Sequence, residues 1–365
     1  MRTEKEKTQD MALRSLIINP GSTSTKIGVF EDETQILDKT LRHSTEEIAA
    51  YPSIYAQKDF RKKLVLDALK EENIDVHSMD FIVGRGGLVR AIPGGTYTVN
   101  DRLLEDLKSG VQGQHASNLG GILAREIGDS IGVPSYIVDP VVVDELAPVA
   151  RISGMPEIER VSIGHPLNQK AMARRWAKTI GKKYQDVNVI VAHMGGGVSV
   201  GAHEHGQMID IFNALDGDGC FSPERAGGLP SGALIRMCFS GKYTEAQMRR
   251  KIVGNGGFNA YLGTNDAREV QARAEAGDAK AQLVLDAFIY QVSKNIGAMG
   301  AVLKGKVDQI ILTGGIAYGK YVTEQITERV QHIAPVTVYG GEAELLALAQ
   351  GGLRVMTGEE EAKIY

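Results

Sequence analysis

Two segments, one in each half of the chain, share a plan: a short apolar run, a tight turn of small residues, then a second apolar run. The first is LIINPGSTSTKIGVFE, from Leu16 to Glu31, and the second is VIVAHMGGGVSVGAHEHG, from Val189 to Gly206. β-Branched runs of this length read as strands and the interrupting glycines and hydroxyl residues as turns. A third run, QIILTGGIAYGK from Gln309 to Lys320, reads as a buried strand entering Gly314-Gly315 and then a helix. Between them lie stretches with helical spacing, such as FRKKLVLDALKEENI and DAKAQLVLDAFIYQVSKNIGAMGAVL. The repeated unit implies two related α/β domains of mixed sheets flanked by helices, facing each other across a central cleft. Length agrees, because 365 residues exceed one ordinary core. The implied boundaries are a solvated tail over 1–12, an N-terminal domain over 13–150 rejoined by 343–365, and a C-terminal domain over 151–342. A last helix, expected over Glu344 to Arg354, crosses back to the first domain.

Several function classes are excluded early. A net charge of −4 gives no surplus of Lys and Arg for general nucleic-acid binding, although a local anion site needs only a few positive groups. Two cysteines, Cys220 and Cys238, suit a reducing cytoplasm and form neither a disulfide framework nor a CxxC metal site. The opening residues MRTEKEKTQDMALR lack the apolar stretch of a secretory signal, and Met11 is a second candidate start. No membrane association is expected: the most apolar stretch, Ala287 to Leu303, carries Lys294 and reads as a buried helix.

Small residues at the tip of a strand–turn–strand let backbone N–H groups approach an anion. In the first turn Ser22, Thr23, Ser24 and Thr25 add hydroxyl donors, and Lys26 adds a charge if it turns inward. Neither GxxxxGK[ST] nor a GxGxxG between strand and helix is present. One glycine-rich hairpin is ordinarily just a hairpin; two, followed by the TGG segment, point to phosphate binding. Gly197-Val-Ser199-Val-Gly201 matches the G-x-S-x-G of serine hydrolases, but that motif needs a strand turning into a helix, and here a strand continues. His203 and His205 read as a solvated hairpin tip without a third metal ligand.

Arg85 in FIVGRGG and Arg225 in FSPERAGGLP sit in stiff, glycine-lined loops. Their planar forks suit carboxylate and phosphoryl oxygens, and each can equally serve a structural carbonyl. Asp139 ends the strand VPSYIV, where its carboxylate suits a magnesium outer shell or the orientation of an arginine. His165 in SIGHPLNQ, where a strand gives way to a helix, and His193 before the triple glycine are candidate phosphoryl donors or structural histidines. Glu342 after Gly340-Gly341 suits magnesium or the cap of the last helix.

Together, INPGSTSTK, VGRGG, SIGHPLNQ, AHMGGGVSV, FSPERAGGLP and LTGGIA, in that order over about Ser15 to Thr357, resemble the acetokinase family, most nearly its butyrate kinase branch. That family belongs to the superfamily of actin, sugar kinases and Hsp70-type ATPases, with a duplicated ribonuclease H-like fold. The resemblance implies reversible, ATP-dependent phosphorylation of a short-chain fatty acid, with ATP/ADP as co-substrate, Mg²⁺, and a homodimer or larger homo-oligomer. It implies an acyl-substrate side in the first domain and nucleotide binding in the second. It assigns Asn19 and its turn, with Ser22, Ser24 and Lys26, to a first phosphate loop, and His193, Gly195, Gly196 and Gly197 to a second. Gly314, Gly315 and Ile316 match the adenosine segment, and Asp266 and Arg268 a further nucleotide contact. Arg85 and Arg225 match the arginines for the acyl carboxylate and the transferring phosphoryl group, and His165 the histidine that steadies the transition state. Asp139 and Glu342 match acidic residues tied to magnesium and arginine placement. Where acetate kinases carry a bulky residue before the active-site histidine, Gly164 stands here, which implies a roomier acyl pocket favouring butyrate or a branched acid over acetate. The rivals are a sugar kinase, which needs an Asp base for a hydroxyl, and a non-enzymatic ATP-binding regulator, which needs no pair of arginines.

Overall fold

The computed structural model describes residues 12–365, so the expected solvated tail lies outside the described residues except at its last position. The chain divides into two compact units, one running to Val143 and including Ala343–Tyr365, the other Asp144–Glu342. Residues 144–150, expected in the first domain, belong to the second. Glu145 pairs with the buried Lys170 at 2.7 Å and accepts from the Met208 N–H, and the Ala147 N–H donates to the Ile209 carbonyl.

The first unit holds β1 (Arg14–Pro20), β2 (Ser24–Glu31), β3 (Thr34–Arg42), β4 (Phe81–Arg85), β5 (Thr96–Thr98) and β6 (Ser135–Val138) in the order β3-β2-β1-β4-β6-β5. The second holds β7 (Asn188–Met194), β8 (Val198–Glu204), β9 (Gln207–Ile211), β10 (Gln309–Gly314) and β11 (Val336–Gly340) in the order β11-β10-β7-β8-β9. Each sheet is an antiparallel three-strand meander continued by parallel strands on the side of its first strand, and in the first sheet β5 adds antiparallel to β6 at the edge. The repeat read in the sequence is therefore a repeat of topology, with β1–β3 matching β7–β9.

Central strands read as unbroken apolar runs because helices cover the sheet, so Leu16, Ile17 and Ile18 are all fully buried. In the second unit Ile190, Ala192 and Val200 pack with Phe288, Val292 and Ile296 of the helix Ala279–Val302. That helix and its C-cap contain the apolar stretch Ala287–Leu303; among the described residues, no helix is long and apolar enough to cross a membrane.

The final helix, Glu344–Met356, packs on the first sheet, and two adjacent glycines let it approach. A Cβ on Gly351 would fall 2.5 Å from the Val138 side chain, and one on Gly352 2.4 Å from Phe81. The helix begins two residues after Glu342. Its N-cap is Ala343, which makes no side-chain cap hydrogen bond, so the capping role offered for Glu342 is not the one it has.

Candidate active site

In the first unit, the turn between β1 and β2 is held from behind by Arg61, which is fully buried. Its Nη1 donates to the carbonyls of Gly21 (2.8 Å) and Ser24 (3.0 Å) and to Thr25 Oγ1 (3.1 Å), and Nη2 donates to the Ser22 carbonyl (3.2 Å). Nε and Nη2 share Gln57 Oε1. With the Gly21, Ser22 and Ser24 carbonyls turned toward Arg61 and the Thr23 carbonyl bound to the His43 N–H, the tip residues Ser22 and Thr23 stand exposed.

Asn19, the last but one residue of β1, and Arg85, the last of β4, are joined by Glu344. Asn19 Nδ2 donates to Glu344 Oε2 at 2.8 Å, and Arg85 Nη1 pairs with Glu344 Oε1. Parallel pairing of β1 with β4 brings these strand ends together, and the final helix supplies the carboxylate from its first turn. A cavity of about 460 Å³ opens here, lined by Asn19, Ser24, Lys26, Arg85, His115 and Glu344 with apolar Pro20, Leu88 and Val141. Lys26 also pairs with Asp38 at 3.2 Å, both half exposed, a contact of little energetic weight. Burial, and then the Arg85 charge, push His115 below its ordinary pKa, which favours the neutral ring at pH 7. Asp139 is 1% exposed at φ 37°, and its Oδ1 accepts the Gly95 N–H at 2.7 Å.

In the second unit, β7 carries His193 into the glycine turn, and the helix Pro166–Thr179 starts beside it with His165 as N-cap. No strand precedes His165; residues 152–165 are irregular, contrary to the expectation. The two imidazoles stack, centroids 3.9 Å apart and 13° from parallel. Asn168 Oδ1 lies 2.8 Å from His193 Nδ1, and Glu342 Oε1 lies 3.0 Å from His193 Nε2, an ion-pair distance without the alignment of a hydrogen bond. Arg225 Nη1 donates to the Ala214 carbonyl at 2.8 Å, while its buried Nε has no partner among the described residues. Burial pulls the Arg225 pKa down, yet a guanidinium remains charged at neutral pH.

Gly197 leaves the space that this arginine fills: a Cβ there would sit 2.1 Å from Arg225 Nη1 and 2.9 Å from Cζ. Gly197→Ala is therefore expected to displace the guanidinium and lower kcat about 100-fold, with little change in Tm. Wild-type turnover by this variant would separate Arg225 from the chemistry.

Beyond the turn, a cavity of about 730 Å³ is lined by Gly195, Gly196, Asp266, Arg268, Gly315, Ile316 and Tyr318. Gly196 and Gly315 have nothing within 4 Å of where a Cβ would stand, so their backbones face open space. Gly314 has φ 90° and a Cβ there would lie 2.3 Å from the Met194 carbonyl oxygen, which requires glycine where β10 meets the turn after β7. Asp266 caps the helix Ala267–Glu275 and takes a two-point grip on Arg268, whose hydrogen bonds hold the Asp266 pKa at about 2. The cavity is thus edged by an exposed, self-neutralised ion pair.

Two sequence readings need correction. A Cβ on Gly164 would lie 2.3 Å from Ile211 Cδ1, so the space it vacates is already filled and gives no acyl room. His203 is fully buried within β8, not at a solvated tip; only His205 is exposed, at φ 47°. Ser199 is internal to β8, as the rejection of the hydrolase motif requires. Sequence reasoning missed Glu344, Arg61, Asn168 and His115. Glu344 is 259 residues from Arg85, and its place in a first helical turn reads as an ordinary dipole-favoured acid. Asn168 had a weak signal, since it lies in the same SIGHPLNQ segment as His165.

Among the described residues, no three His, Cys, Asp or Glu side chains form a cation cage. A magnesium ion carried on nucleotide phosphates needs only one or two protein carboxylates. Glu342, 40% exposed beside Gly195, has the right donor chemistry, whereas one oxygen of Asp139 is already taken.

The acetokinase family model matches residues 163–363. A probable butyrate kinase of Clostridium botulinum is 60% identical over 97% of this chain and 100% of that protein. Butyrate kinase 1 of Clostridium acetobutylicum is 62% identical over 96% and 99%. Among solved structures, Porphyromonas gingivalis acetate kinase superposes with a TM-score of 0.77 over 94% of this chain and 100% of that one, at 18% identity, which speaks to fold alone. With a model matched over more than half its length and relatives near 60% identical end to end, the chain belongs to the acetokinase family.

Proposed function

We propose that this protein is a butyrate kinase, transferring the γ-phosphoryl group of ATP to the carboxylate of butyrate, and of butyryl phosphate back to ADP. The observation that carries the proposal is the end-to-end identity to clostridial proteins named butyrate kinases. A carboxylate oxygen attacks the γ-phosphorus as the bond to the β–γ bridging oxygen breaks. The acceptor is already ionised, so no general base is needed, and the protein's task is positioning and charge neutralisation. In this reading Arg85, preset by Glu344, binds the acyl carboxylate, and Leu88, Pro20 and Val141 meet its short chain. Arg225 and His165 serve the transferring phosphoryl group, with Asn19 and the backbone of Ser22 and Ser24 as further donors to anionic oxygens. His193 and Gly195–Gly197 cradle the phosphates, and the cavity edged by Asp266, Arg268 and Gly314–Ile316 takes the nucleoside. Magnesium bound to the nucleotide neutralises phosphate charge; Asp139 and Glu342 are the carboxylates assigned to its water shell. We assign the enzyme to the cytoplasm, as a homodimer or larger homo-oligomer.

Hydroxylamine trapping of acyl phosphate, with ATP, Mg²⁺ and a panel of acids, tests this. Butyrate or isobutyrate should exceed acetate about 10-fold in kcat/KM, as two extra buried methylenes imply. Preference for acetate, or no signal with any acid, would overturn the assignment.

A further inference from the structure

Four side chains behind His165 form a hydrogen-bonded line through the core of the second unit. Tyr184 Oη lies 2.6 Å from His203 Nδ1, and His203 Nε2 lies 2.9 Å from Gln169 Oε1. Gln169 Nε2 lies 2.7 Å from Ser199 Oγ, which lies 2.9 Å from His165 Nδ1. Gln169 and His203 are fully buried, and Ser199 and Tyr184 are 1% and 3% exposed.

One contact orients the line from His203 to Ser199. Gln169 Nε2 also faces the Ser199 backbone carbonyl at 3.2 Å, and a carbonyl only accepts, so the amide nitrogen must stand on that side. Gln169 Oε1 is then the acceptor toward His203, whose Nε2 carries the hydrogen. Deep burial pushes the His203 pKa well below its ordinary value, so that ring is neutral, and its Nδ1 accepts from the Tyr184 hydroxyl. At the other end, Ser199 Oγ accepts from Gln169, and with His165 Nδ1 2.9 Å away its own hydrogen has an acceptor there. A neutral imidazole that accepts at Nδ1 must donate at Nε2. Hydrogen bonds aligned in one sense also polarise one another.

We propose that Tyr184, His203, Gln169 and Ser199 are positioning residues that set the tautomer of the His165 ring, with Nδ1 accepting from Ser199 and the proton on Nε2, ready to donate to a phosphoryl oxygen. The two motifs left over from the sequence find their use here. Ser199, centre of the G-x-S-x-G, is a hydroxyl relay and not a nucleophile. His203 of the HxH is a proton-ordering link and not a metal ligand. Gly201 keeps the line open, because a Cβ there would fall 2.5 Å from Gln169 Oε1. The inference rests on the kinase reading for what His165 donates to, but not for the tautomer itself.

The test is ¹⁵N spectroscopy of the full chain with ring-labelled histidine, His165 being assigned through His165→Asn. Wild type should show His165 as one neutral tautomer with hydrogen on Nε2. Ser199→Ala should release the ring to a mixture of tautomers and lower kcat about 100-fold, with KM for nucleotide within about threefold. Ser199→Thr, which keeps the hydroxyl, should restore both. Gln169→Leu, which keeps the backbone N–H bond to the His165 carbonyl and removes only the side-chain bonds to Ser199 and His203, should disturb the same resonances. A wild-type His165 protonated on Nδ1, or one unmoved in both Ser199→Ala and Gln169→Leu, would overturn the relay. These spectra need no turnover, so failure of the kinase reading, seen as absence of acyl phosphate from wild type, is a separate result.

Discussion

Arg225→Ala is expected to lower kcat for acyl phosphate formation about 1000-fold, while Kd for ATP stays within about threefold. One of its nitrogens is bound to the Ala214 carbonyl, a structural contact, and its buried Nε lacks a partner among the described residues. A buried donor left unmade costs about 1–3 kcal/mol, a cost a purely structural arginine has no reason to carry. In the proposed role the guanidinium is met by phosphoryl oxygens as charge shifts toward the leaving group, so the deficit is repaid only when substrate is present. Uniform binding contributions move KM, whereas contacts made in the transition state move kcat. Arg225→Lys should recover little, because a point charge lacks the planar fork. Full activity in Arg225→Ala, or a loss tracking a fall in Tm, would return this residue to the scaffold.

The second large effect concerns stability. Arg61→Met keeps the apolar stem and removes the guanidinium, and is expected to cost about 3 kcal/mol in urea unfolding. Among the described residues no carboxylate pairs with this buried charge; burial lowers its pKa to about 10, and neutral carbonyls and Gln57 bear the load. Removing it strands those oxygens together. The cost is less than their sum because Ser22 is exposed and regains water. The tip of the turn should loosen as well, raising KM for the acid. A change below about 0.5 kcal/mol would mean that the turn is held by its own Gly21–Ser24 bond and the strand pairing.

The fold was legible because its signals are local. Strand–turn–strand runs are read over about eight residues on each side, and their recurrence in the other half of the chain announced the duplication now seen as two sheets of one plan. The glycines at 195–197 and 314–315 were legible for the same reason, since they interrupt or end apolar runs within a few residues. Arginines in glycine-lined loops stood out against those on helix faces.

Other features depend on which distant residue arrives. Glu344 joins Asn19 and Arg85 only because the final helix returns to the first sheet, where Gly351 and Gly352 let it settle. Gly164 promised room in the sequence, but a cavity is decided by neighbours, and Ile211 at the end of β9 fills it. Ser199 and His203 looked like fragments of foreign motifs until β8 placed them beside Gln169. The sequence by itself determined the elements, the duplication and the inventory of cations and glycine-rich turns, through backbone preferences and periodicity that act over a few residues. Tertiary structure alone decided which carboxylate orients which arginine, which space is empty and where each buried proton points. Those are properties of pairs of groups, and the distance between them is set by packing, not by their separation along the chain.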